Sequence, residues 1–368
     1  MALSLAAIKK RFRNIVNSID PSTAGKKPTD FSRNRLCSLQ DVIMILITMA
    51  GHSTNAEVNN YFKTLQRPPE KRPSASALSQ QRDKLSDTVL PNLFSESNKQ
   101  FPFEKTYNGM HLLAGDGSDV NIPFLKEDFL TFVAGKNGEK GYHQVHLDAL
   151  YDLLEHRYVD ACITPKAEYN ENAALCQMVD RNPLDGPCLY IADRAYPTFN
   201  TLAQIQEAGH FFLIRAKDPE SSCSPLKGII FPDTEAAEID HSFIIRRRRV
   251  GKDEDPAIYK NMRSDRVFDY IEIEDRVSEY QISFRIVKIK IDEDKYEYLV
   301  TNLPPGKYSL QIFKKLYHMR WDILCEPCSY ANFRGRNPVN IGIPARKSSY
   351  KNLIKSKNPC YFVLIIRP

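Results

Sequence analysis

The chain has no apolar run near the ~20 residues that a membrane-spanning helix needs. The stretch DVIMILITMAG (41–51) falls far short of that length and predicts a buried helix. A secretory signal is missing too. MALSLAAIKKRFRNIV puts its short apolar run ahead of its positive charges, the reverse of a signal peptide, and shares only a basic amphipathic character with transit peptides. The eight cysteines are scattered, and only Cys325 and Cys328 form a CxxC. With no second pair and no histidine at a zinc spacing, the pattern argues against a structural zinc and predicts reduced thiols in the cytoplasm. No Gly-x-Ser-x-Gly, no P-loop and no His-Glu-x-x-His occurs, which argues against nucleophilic catalysis, P-loop nucleotide chemistry and zinc hydrolysis. His111, His143, His146 and His156 are not spaced as a zinc set and read as structural. Proline and glycine, 23 and 15 residues, sit near ordinary usage, and no repeat or low-complexity tract is found, so the chain is neither disordered nor fibrous.

What is present is a chain of 368 residues, 42% hydrophobic, long enough for two or three domains with cores of their own. Its formal charge of +6 is unevenly spread. Residues 1–105 carry 16 Lys/Arg against 9 Asp/Glu, and residues 326–368 carry 8 against 1, which leaves the centre acidic. Basic ends suit a polyanion such as DNA; solvated faces serving solubility are the plainer explanation.

Residues 1–105 read as a helical N-terminal region. Segment 39–51 is apolar nearly all round and central to it. The next helix opens at STNAEVNNYFKTL, where Thr54 and Glu57 fit a capping box. After the breaker QRPPEKRP, a helix in SASALSQQRDKLSD is capped by Ser74 or Ser76. Leu78 and Leu85 face inward, leaving Gln80, Gln81, Arg82 and Lys84 largely outward. Gln and Arg can read base edges and Lys finds phosphates, so Arg82 and Lys84 are candidate DNA contacts; an ordinary solvated helix fits equally well.

From residue 106 the period changes. HLLAGD reads as a strand, and YHQVHLDALYDLLEHRYVDACITP as two more paired in a hairpin across DLLEHR. NENAALCQMVDR is a helix, CLYIADRAY a strand, TFNTLAQIQEAG a helix and HFFLIRAKD a strand. Three strands, then helix, strand, helix, strand is the order of an RNase-H-like α/β core with a mixed sheet over 106–217. Residues 218–305 alternate like antiparallel strands and predict a β-rich insertion. Arg246 to Arg249 fall in one of these strands. Alternation would send two to each face, so burial is not expected, and they suit either DNA phosphate or a solvated edge strand. LQIFKKLYHMRWDIL returns to helical period as the final core helix, 306–324.

In LLAGDGSDVNIP and CLYIADRAY, apolar strands stop on acids, Asp116 and Asp193. A turn would explain Gly117 and Ser118 but not the carboxylate. Active groups of α/β sheets gather at such strand ends, and two neighbouring carboxylates repel unless a divalent cation joins them. Hard oxygen ligands select Mg²⁺ or Mn²⁺. These segments, with GYHQVHLDALYDL, NENAAL and YHMRW, resemble in order those of bacterial DDE transposases of the insertion-sequence family numbered four, over roughly residues 30–323. The resemblance implies cut-and-paste transposition with Mg²⁺, with Asp116 and Asp193 as the first two catalytic acids. It places Tyr317 and Arg320 on DNA near the cleaved end. Its other implications are a homodimer on paired element ends and a bacterial cytoplasmic protein associated with the nucleoid. A DNA-binding protein without chemistry is the second reading.

The sequence departs from the family at the third acid. The family's Tyr-x2-Arg-x3-Glu-x6-Lys signature, begun at Tyr317, wants Glu at 324, where Leu324 stands. Glu326 is the nearest candidate, but two residues on a helix is a turn of about 200°, and Pro327 follows it. The expected Lys falls on Ala331 or Phe333. Ala195 also replaces the Gly of ADRGY, which matters if the position needs a positive φ. Residues 325–368 form an atypical basic tail without sustained helical period, the change of character that a frameshift near codon 323 produces.

Overall fold

A computed structural model describes residues 4–33, 35–122, 128–135, 139–293 and 295–321. Its first hundred residues form helices α1 (Leu5–Asn17), α2 (Pro21–Ala24), α3 (Leu39–Thr48), α4 (Thr54–Thr64), α5 (Ala75–Arg82) and α6 (Val89–Gln100). Polar caps set their starts. Ser38 and Asp41 form a capping box on α3, and the Ser74 side chain accepts from the Ala77 N–H, which resolves the cap of α5. For α4 the expected box is corrected. Ser53 is the cap, and the Glu57 carboxylate instead accepts from the N–H groups of Ala50 and His52 at 2.9 and 2.7 Å, closing the loop that follows α3. Val42, Ile45, Val58, Phe62 and Leu78 make a small core between α3, α4 and α5.

The remainder is built on one ten-stranded mixed sheet. Strands β1 (His111–Ile122), β3 (Tyr142–Asp152) and β4 (Arg157–Pro165) run antiparallel in turn, with the short β2 (Phe132–Val133) beside β3. Helix α7 (Glu171–Asp180) leads to β5 (Cys188–Ala192), parallel to β1, and α8 (Phe199–Glu207) to β6 (Phe211–Ala216), parallel to β5. The spatial order β4-β3-β1-β5-β6 is that of an RNase-H-like core. Strands β7 (Ala236–Arg246), β8 (Tyr259–Asn261), β9 (Glu279–Asp292) and β10 (Lys295–Thr301) extend the same sheet, because β10 pairs with β6. Helix α9 (Leu310–Met319) closes the described chain.

Strand alternation splits the sheet's apolar residues between two faces. Leu112 and Ala114 of β1 and Leu189 and Ile191 of β5 pack with α1, α6 and α9. Leu113, Tyr190 and Ala192 pack with α7 and α8. Among the described residues no helix is long and apolar enough to cross a membrane.

The arginine run corrects the expectation of an exposed strand. The strand ends at Arg246, and both Arg246 and Arg247 are buried. Arg246 pairs with Glu254 and, at 3.1 Å, with Glu279, and lies over the Tyr259 ring. The Arg247 guanidinium donates to the carbonyls of Met262, Arg263, Arg266, Phe268 and Ile271 at 2.9 to 3.4 Å. Arg248 shares Glu254 and Glu279 with Arg246. The run is therefore an internal clamp on the loop that follows β8, and only Arg249 is left exposed without an ion pair among the described residues.

Candidate active site

Strand β1 does not stop at Asp116, as its sequence suggests; it continues to Ile122, held by β3. What stops is its other neighbour. The parallel pairing with β5 ends at Ala114↔Ile191. Asp116 thus stands two residues past the end of the parallel pair, and Asp193 immediately past the last residue of β5. Both continue the phase of Ala114 and Ile191, so both project from the face covered by α9. Asp193 is anchored by a hydrogen bond from the Ala195 N–H to its Oδ1 at 2.8 Å. Position 195 is not among the residues of positive φ, so the change from glycine puts no strain on the turn.

The two acids interact. Burial pushes the Asp116 carboxyl up, Arg320 opposes the rise, and the negative charge of Asp193 adds to it, leaving it at about 6. Arg320, at the end of α9, is buried, and its guanidinium lies 3.9 Å from Asp116 Oδ1 and over the Trp321 ring at 4.4 Å. Tyr317, one turn earlier, is likewise buried. The two α9 residues expected on DNA thus lie within the protein, with Arg320 serving as the resident counter-charge of Asp116. Such a pair of hard oxygen donors, held against its own repulsion by one cation, suits a divalent metal. Two ligands are not three, however, and among the described residues no group of three or more His, Cys, Asp or Glu could hold a metal ion. Glu326 lies outside the described residues.

Beside Asp193 opens a cleft of about 580 Å³ lined by Arg194, Arg215, Lys217, Ser221, Tyr296 and Tyr298, among others. Arg215 is tied to Glu297 at 3.4 Å. A second cleft, of about 340 Å³, lies in the helical region at the start of α3. Arg33, Arg35, Gln40, Gln81 and Lys84 are among its lining residues. Here the expected outward face of α5 is corrected. The helix ends at Arg82, the chain bridges Leu85 to Gly25, and this turns Gln81 inward while Arg82 and Lys84 are half-buried. Arg33 and Arg35 are exposed and make no ion pair among the described residues.

Sequence reasoning missed the other face of β1. His146, read as merely structural, sits there in a cluster of carboxylates directly behind Asp116. The signal was Gly117. It is a strand residue rather than a turn, and a Cβ at that position would lie 2.5 Å from His146 Nε2.

Residues 108–323 match the family model described as the transposase DDE domain. No curated protein matches the chain.

Proposed function

The chain belongs to the DDE transposase family, and on that premise we propose that it is a transposase by descent of the insertion-sequence family numbered four. In this reading Asp116 and Asp193 are its first two catalytic acids. The observation that carries it is their placement past the ends of two neighbouring parallel strands, on one face, close enough that the charge of Asp193 helps to raise the Asp116 carboxyl. A divalent cation bound there would act as a Lewis acid on a phosphodiester and lower the pKa of an attacking water or 3′-hydroxyl. The chain's own contribution is to hold the two carboxylates at one spot and to keep a guanidinium, Arg320, ready to move from Asp116 to a phosphate oxygen. Cut-and-paste transposition on paired ends, with two copies of the chain, is the activity this ancestry supports.

Catalysis in this chain is proposed to be defective. Leu324 stands where the family's signature places its third acid, and the family match ends at residue 323. A reading-frame change near that codon accounts for both. The same observations favour, as a second reading, a remnant that binds element ends without cutting them. In either case residues 1–105 are the proposed DNA-binding region, 106–217 and 306–324 the catalytic core and 218–305 an insertion before its last acid.

DNA contact is proposed at the cleft beside α3. Among the described residues its Arg33 and Arg35 make no ion pair, unlike Arg246 and Arg248, which share Glu254 and Glu279. Lys84 belongs to this cleft rather than to a free helix face, and Arg82 flanks it. The experiment is a gel-shift titration with DNA fragments flanking the reading frame. Binding should weaken steeply with salt, since neutralised phosphates release counterions, and the Arg33→Ala/Arg35→Ala variant should lower the log–log salt slope by about two. Salt-independent binding, or flanks bound no better than unrelated DNA, would overturn this reading.

A further inference from the structure

We propose that His146 is a positioning residue for the Asp116/Asp193 pair, its ring wedged against Gly117 and bound by carboxylates from three elements so as to fix the stretch of β1 that carries Asp116. The inference rests on the reading of those two acids as a metal pair.

Past Ala114, β1 has lost β5 and among the described residues is paired only with β3. Asp116 also stands between Gly115 and Gly117, the residues that restrain a backbone least. A ligand on such a strand needs support from elsewhere. Facing α7, His146 Nδ1 meets Asp119 Oδ1 of β1 at 2.7 Å. Its Nε2 lies 3.3 Å from Glu171 Oε1, the first residue of α7, and 3.5 Å from Asp148 Oδ1 of β3. Lys166 closes the outer side, with Nζ 2.6 and 2.7 Å from the two Asp119 oxygens and 3.9 Å from the centre of the Tyr169 ring, which itself packs on His146. One imidazole therefore joins β1, β3 and α7 directly behind Asp116. Gly117 is what admits it, since a Cβ there would also lie 3.1 Å from Glu171 Oε1 and 3.2 Å from Asp148 Oδ1.

The ring is held charged. Burial alone would lower its pKa, but Asp148, Glu171 and Asp119 outweigh burial and push it up to about 10. A raised histidine contributes stability that is complete below its ordinary value near 6.5 and is lost as pH rises through about 10. The groups facing it are Asp119, Asp148, Glu171 and, through Asp119, Lys166.

The test is Mn²⁺ affinity of the full chain, read by the loss of free-ion EPR signal, beside thermal melting. Wild type should bind Mn²⁺ in a manner that Asp116→Asn abolishes. His146→Gln should weaken that binding about tenfold or more, the size of effect that partners behind metal ligands have. It should also flatten the fall in melting temperature between pH 7 and 10. Gly117→Ala removes no charge, so it guards against a His146→Gln chain that does not fold. It should weaken Mn²⁺ binding similarly, and the double variant should be no worse than either single one. A core control, Ile245→Val, should lower the melting temperature and leave Mn²⁺ affinity unchanged. His146→Gln and Gly117→Ala chains that bind Mn²⁺ as tightly as wild type would overturn the inference while leaving the metal pair standing. A wild type whose Mn²⁺ binding is absent or indifferent to Asp116→Asn would overturn both.

Discussion

Replacing Leu324 by Glu is expected to raise metal-dependent DNA cleavage about a thousandfold over the unaltered chain, a gain of roughly 4 kcal/mol in transition-state stabilisation. The unaltered chain should show little or no cleavage on DNA bearing its flanking sequences. The reason lies in ligand number. Asp116 and Asp193 supply two carboxylates, and the described residues contain no third that joins them. In-line displacement on a phosphodiester uses two ions, one at the attacking oxygen and one at the leaving oxygen. A pair of acids can hold one of them and leaves the other without protein support. The family's signature sets the missing carboxylate seven residues after Tyr317, at Leu324, which lies outside the described residues. A single-turnover nicking assay with Mg²⁺ measures the difference. Cutting by the unaltered chain that Glu326→Ala abolishes would make Glu326 the third acid, and the frameshift reading would fall.

The second large effect is on stability. Arg247→Ala should cost roughly 3–5 kcal/mol, because several buried carbonyls lose a charge-assisted donor and each buried polar group left unsatisfied costs about 1–3 kcal/mol. Five carbonyls between residues 262 and 271 take hydrogen bonds from this one guanidinium, and the Arg247 carbonyl in turn accepts from Asn261 and Arg276. The segment from Arg263 to Ser278 has no helix or strand to satisfy these groups itself. Arg247→Lys should recover little, because an ammonium has three donors at one point where the guanidinium has five on a fork. Equilibrium urea unfolding decides. A loss below about 1 kcal/mol for the alanine variant would show that the loop keeps its fold without the clamp.

That clamp marks where sequence reasoning reached its limit. Four arginines in a strand read as solvent or phosphate contacts because their partners carry no local pattern: Glu254 lies beyond the strand's end, and Glu279 and the carbonyls of 262–271 are 15 to 33 residues away. The core strands were legible for the opposite reason. The continuous apolar runs in HLLAGD and CLYIA record burial on both faces, and the three-strand, helix, strand order then leaves few topologies. Asp116 was legible as an acid at the edge of that core but not as a mid-strand residue. The partner that prolongs β1 is β3, while Gly117 and Ser118 look like a turn. The face of α5 was misjudged because Leu85 bridges Gly25, a contact 60 residues away in sequence, and so pulls Gln81 inward. His146 could have been found only by asking why a strand needs glycine beside its acid.

The most direct test of the metal pair is a crystal of the full chain grown with Mn²⁺ and examined by anomalous scattering. One Mn²⁺ should sit between the carboxylates of Asp116 and Asp193, with the Arg320 guanidinium displaced from Asp116, and Asp193→Asn should remove the peak. Manganese bound only elsewhere, or a peak at Asp116 that survives Asp193→Asn, would contradict the assignment of these two strand-end acids to one metal.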